Sequence, residues 1–92
     1  MLMFDLVEHR PEEAWLLIDA IRHATNNPQS LGLLAAGHLE DLLAKHGDKF
    51  IERFEALARI DEDFARLLGG VWQNAMDDDL WWRVRKIRIQ HD

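Results

Sequence analysis

The sequence predicts an all-α fold of about five helices in antiparallel hairpins, HEAT-like or arranged as a small orthogonal helical bundle. Three observations lead there. Apolar residues recur at three- and four-residue spacing over Leu31, Leu34, Ala35, Leu39, Leu42 and Leu43. They recur again over Phe50, Ile51, Phe54, Leu57 and Ala58, and over Phe64, Leu67, Leu68, Val71 and Trp72. This is the pattern of amphipathic helices that share one core. The stripes are separated by short runs holding Pro, Gly, Asn or Asp, the residues that cap and end helices.

Each element follows from local chemistry. Residues 1–10 are expected to add a short helical turn that places Phe4 and Val7 on the core. The first full helix opens at Pro11, whose missing N–H costs nothing at the first helical position, and Glu12 and Glu13 then complement the dipole. Its expected core face is Ala14, Leu17, Ile18, Ile21 and Ala24. Asn26-Asn27-Pro28 ends it, because the residue before proline is pushed out of the helical region.

A second helix runs from Gln29 or Ser30 to His46, with Gly47 as its left-handed cap. Gly37 lies inside it. A mid-helix glycine costs about 1 kcal/mol relative to alanine, so it marks a close helix approach or a break. The stripe stays in phase across it, which favours one helix, straight or bent. Asp48 is the expected N-cap of a third helix, Lys49 to Ile60. Asp61 caps a fourth, with Glu62 and Asp63 in its first turn. That helix reaches Trp72 and holds Gly69 and Gly70, which loosen it or admit another backbone.

Asp77 caps the last helix, with Asp78 and Asp79 in its first turn. Leu80, Trp81, Val84 and Ile87 make its core face. Residues 83–90 also alternate like a strand, but a lone strand lacks a partner and helix is preferred. On a helix, Trp82 and Ile89 fall a heptad apart and off the core face. With Arg85 and Lys86 beside them they form the expected exposed apolar and basic patch.

Composition narrows the function classes. The 92 residues are read as one domain, 1–92; 48% are hydrophobic and 30% charged, a globular balance. There is no cysteine, so neither disulfides nor thiolate metal sites are available. Asp5 and Glu8 interrupt the first apolar stretch, unlike a signal peptide, and no apolar run approaches the ~18 residues that span a bilayer. A cytoplasmic location without membrane association is expected. Up to Asp79 the chain holds sixteen acidic and seven basic residues, a net −9. From Leu80 on it holds Arg83, Arg85, Lys86 and Arg88 against Asp92, a net +3. Positive charge near a final helix C-terminus complements its dipole and an acidic body.

No catalytic constellation emerges. There is no tyrosine, and the only hydroxyl side chains, Ser30 and Thr25, sit at helix ends. His38 precedes Asp41 by three and could bond to it, with Glu40 alongside. His38 nevertheless falls on the apolar stripe and reads as a packing residue, while Glu40 and Asp41 read as a solvated edge or as partners of neighbouring helix ends. Metal binding is not expected. His38 and His46 are about 12 Å apart along a helix, and Asp19 with His23 offers only two ligands. Leu68-Gly69-Gly70-Val71 lacks the lysine and strand of a phosphate loop. No cofactor is therefore expected.

Arg83, Arg85, Lys86 and Arg88 around Trp82 give basic and aromatic residues in alternation, but beside a body of −9 they make nucleic acid an unlikely partner. An acidic inhibitor, or nucleic-acid mimic, is the alternative. It needs a continuous stripe along Asp41, Asp48, Glu52, Glu55 and Asp77 to Asp79. Arg53 and Arg59 next to Glu52 and Glu55 argue instead for ordinary pairing, Glu55 with Arg59 in the favourable order.

Leu34 to Leu43, His46-Gly47, Phe50-Ile51, Glu55, Ala58-Arg59, Phe64, Gly70-Val71-Trp72 and Trp82-Arg83-Val84 together resemble a bacterial family of unknown function. Its members carry LAAGPLEDLL, then HG, FI, GVW and W-R-V. The resemblance covers about residues 31–84 and implies a HEAT-like helical packing with no catalytic role. His38 stands where the family pattern has proline. The expected function is accordingly a non-enzymatic protein-interaction module. Trp82, Arg85, Lys86, Ile89, Glu40 and Asp41 are its candidate surface, and Gly37, His38, Gly47, Gly70 and Trp72 its structurally special positions. The partner is an unidentified protein or, as a homodimer, a second copy.

Overall fold

A computed structural model describes residues 3–89. Its elements are α1 (Met3–His9), α2 (Pro11–Ala24), α3 (Pro28–Leu34), a π-helical turn (Ala35–Leu39), α4 (Glu40–Ile60), α5 (Glu62–Leu68) and α6 (Asp78–Ile87). The fold is all-α, with no strand among the described residues. Because α3, the π-turn and α4 form one kinked rod, the described residues make five helical rods. Residues 83–87 are helical. The expected core place of Phe4 lies outside the described side chains.

Most expected boundaries hold for the expected reasons. Pro11 opens α2; α3 starts at Pro28 rather than at Gln29 or Ser30, because the Asn27 side chain, expected only to help end the helix before it, accepts from the backbone N–H of Gln29 and Ser30. Asp61 accepts from Phe64 N–H, and Asp77 from Leu80 N–H.

The hairpin expected at His46-Gly47-Asp48 is a kink instead. Helix continues through it, and only His46 departs, with φ −136° and ψ 29°. Asp48 therefore lies inside α4 and caps nothing. Gly47 is no left-handed cap, since none of the described glycines has positive φ. Its role is packing: the Leu80 side chain of α6 rests where a Cβ at Gly47 would stand. The His46 ring helps fasten α1 to the kink, with Nε2 donating to Val7 O at 2.6 Å.

Gly37 also has a different role from either one expected. It lies in the π-turn, with open space around the position a Cβ would take. The close approach belongs to Gly70, where a Cβ would stand 3.1 Å from the Ala35 Cβ. In the π-turn, Glu40 N–H reaches back to Ala35 O. That inserted residue advances the following face by about one helical step, bringing Glu40 to the buried side.

The core includes Val7, Ile18, Leu39, Leu42, Leu43, Phe50, Phe54, Phe64, Leu68, Val71 and Val84, all fully buried. On α2 the buried face is Ala14, Trp15 and Ile18 rather than one including Leu17, which is 41% exposed. The larger indole takes the place, its ring 4.8 Å from Phe54 and 5.5 Å from Phe64. Edge and tilted aromatic contacts of this kind add to the area they bury.

Trp72 is the other correction to the apolar stripe. Phe64, Leu67, Leu68 and Val71 are buried, but α5 stops at Leu68 and the backbone tightens into three-residue bonds. Gly69 N–H reaches Arg66 O, Gly70 N–H reaches Leu67 O and Val71 N–H reaches Leu68 O. Three residues per turn in place of 3.6 turn the chain off the α-helical phase, and Trp72 emerges 61% exposed.

Several ion pairs tie helices that are distant in sequence. Arg53 of α4 holds Glu12 of α2 by both nitrogens, at 2.9 and 2.6 Å. Arg83 of α6 holds Glu55 of α4, Nε at 3.0 Å, so Glu55 is not reserved for Arg59. The largely buried Arg22 joins Asp19 at 2.7 Å to Asp61 at 3.1 Å.

Candidate interaction surface

The buried Glu40 carboxylate organises the segment between α5 and α6. It is 6% exposed, accepts from Trp72 N–H at 2.7 Å, and accepts from the Asn74 side-chain amide. Asn74 has a positive φ of 40°, a conformation asparagine tolerates better than most residues. A carboxylate taken out of water needs such donors, and Glu40 finds them 32 and 34 residues away. Glu40 is therefore a buried anchor of the loop, not part of a free surface.

Arg88 holds the loop from the other side. Its Nη1 donates to Val71 O at 3.2 Å, and its guanidinium lies 4.8 Å from the Trp81 ring centre and 5.8 Å from that of Trp72. Burial pulls this group below its ordinary pKa, and repulsion from Arg85 adds to the effect. Arg85 in turn stands 6.0 Å over Trp82, which is 57% exposed. The result is a band of alternating indoles and guanidiniums, Trp72, Arg88, Trp81, Arg85 and Trp82, with two indoles largely open to water.

The expected pairing of Trp82 with Ile89 on one helical face does not form, because α6 ends at Ile87. Ile89 follows in extended chain and its N–H bonds to Ala65 O at 2.9 Å, drawing the backbone toward α5. Lys86 is exposed beside Arg85 on α6. Asp41 and His38 are half-buried, and they make no hydrogen bond to each other. The buried Nδ1 of His38 has no partner among the described residues.

A cleft of about 550 Å³ opens between the end of α2, α3 and α5, lined by residues including Arg22, Leu31, Ala35, Arg66, Leu67 and Gly70. Its formation depends on the α2 and α5 ends meeting, which no local spacing reveals. Both arginines are engaged within the fold, Arg22 as above and Arg66 with Glu62 at 2.8 Å. No group of three or more His, Asp or Glu that could hold a metal ion occurs among the described residues. No helix there is long and apolar enough to cross a membrane.

Fold and surface define a small all-helical domain with a tryptophan and arginine band beside its last helix. The chain belongs to the family of unknown function DUF6869, which it matches over residues 1–91. Comparison with curated proteins and with solved structures finds no match.

Proposed function

We propose that this protein is a non-enzymatic protein-interaction module of the cytoplasm, whose contact surface is the band containing Trp72 and Trp82. The observation that carries the reading is their exposure, 61% and 57%, on a frame pinned by Glu40 and Arg88. Tryptophan and arginine are enriched among the few residues that carry most of the binding energy at protein interfaces. Leaving two indoles in water, while a buried carboxylate holds the backbone at one of them, suits contact with a partner.

The acidic-inhibitor alternative draws less support. Among its acids, Glu55 is spent on Arg83, Asp41 is half-buried, and Lys49 and Arg53 stand on α4 between Asp48 and Glu55. Capture from native cell extract on immobilised wild-type, Trp72→Ala and Trp82→Ala chains tests the module. Proteins retained by the wild type and lost from both variants are the expected result. Equal retention on all three overturns the reading.

A further inference from the structure

The solvent face of α6 is written in a self-complementary order. Asp78, Asp79, Trp82, Arg85 and Lys86 are all exposed, and their spacing of three and four residues places them on one side of the helix. The acids occupy the first turn, the bases the last, and Trp82 the middle. Gln73 Nε2 donates to Asp78 Oδ1 at 2.9 Å, which steadies that carboxylate at the start of the face.

We infer that a second copy of the chain docks on this face with the two α6 helices antiparallel, Trp82 against Trp82. This rests on the interaction-module reading and names its partner. A two-fold axis through the Trp82 contact sets Asp78 opposite Arg85 of the second copy, and Asp79 opposite Lys86 of the second copy. Each pair then occurs twice, as an isologous interface requires. Parallel docking sets like charge against like charge. A phosphate-rich or anionic surface meets Asp78 and Asp79 on the same face and is repelled. Charge complementarity therefore selects the antiparallel copy. A ten-residue helix is about 15 Å long, so the seam falls at the small end of interfaces and association is concentration-dependent.

Sedimentation velocity of the full chain between about 10 µM and about 1 mM tests this. The wild type is expected to pass from monomer toward dimer, and Trp82→Ala to remain monomeric. Asp79→Lys and Lys86→Asp should each weaken association about tenfold, while the chain carrying both recovers most of the loss. Recovery separates docking from folding, because the swap restores the pairs without restoring either residue; circular dichroism checks that each variant keeps its helix. A wild type that stays monomeric, or a double variant no better than the single ones, overturns the inference. A monomeric wild type that still retains another protein through Trp72 and Trp82 overturns self-docking and leaves the interaction module standing.

Discussion

Glu40 and Trp72 are joined across 32 residues by a 2.7 Å bond from the Trp72 backbone N–H to a carboxylate that is 6% exposed. One buried acid thus anchors the backbone from which an exposed indole projects. Glu40→Ala leaves the Trp72 N–H and the Asn74 amide without their acceptor, and is expected to cost about 2 kcal/mol or more. Glu40→Gln keeps one acceptor and should cost less. Chemical denaturation gives both values, and tryptophan fluorescence of the folded variants should report greater mobility at Trp72.

Two glycines of the same kinked rod should respond with opposite sign. At Gly37 a Cβ meets open space, so Gly37→Ala is expected to stabilise by about 0.5 to 1 kcal/mol through the unfolded chain. At Gly47 the added methyl displaces Leu80, and overpacking of about 1 to 3 kcal/mol outweighs the gain in helix propensity. In a Leu80→Ala background the same Gly47→Ala change should become neutral or stabilising. A double-mutant cycle by thermal melting measures the reversal.

Arg88 carries a separate prediction, since it touches Val71 O and two indoles. Arg88→Ala should loosen the loop at Val71, shift Trp72 and Trp81 emission, and speed amide exchange from residues 69–77. Arg88→Lys keeps the charge but not the planar fork that spans both rings, so it should restore only part of the protection.

Acid should weaken the fold through its interhelical carboxylates. The Arg53 bond holds the Glu12 carboxyl below its ordinary range, and the Arg83 bond does the same for Glu55. Burial alone would raise Asp61, but the Phe64 N–H and Arg22 outweigh it and the net shift is downward. A lowered folded pKa contributes stability that is fully present above the unfolded value. That contribution is lost as pH falls through the folded one. The denaturation midpoint should therefore hold from about pH 7 to about pH 5 and fall below about pH 4. Glu55→Gln should be less stable than wild type at neutral pH, with the two curves converging in acid. Parallel curves would contradict the assignment.

What the sequence made legible was local. Asp61 and Asp77 start helices by bonds within three residues, and Pro11 starts one through its fixed φ and missing N–H, so their types suffice to place them. The packing role of Gly47 does not show locally, because a glycine after a helix stripe serves equally as a cap or as a seat for a distant side chain. Leu80 lies 33 positions further on. Trp72 leaves the apolar stripe because helical phase ends at Leu68 and the turn tightens over Gly69 and Gly70. The exposure of Trp82, Arg85 and Lys86 follows from their spacing on α6. Glu40, Arg88 and Trp72 form one site only through tertiary contacts, and no periodicity encodes those.

The four tryptophans offer the most direct test of the account, because Trp15 is buried in the core, Trp81 is half-buried, and Trp72 and Trp82 stand in water. The measurement is a nitrogen-15 spectrum of the indole N–H groups, taken in buffer and again in native cell extract. The Trp72 and Trp82 signals are expected to shift while that of Trp15 stays in place. Four stationary signals, or a Trp15 that moves as far as the others, would contradict an interaction surface at the exposed indoles.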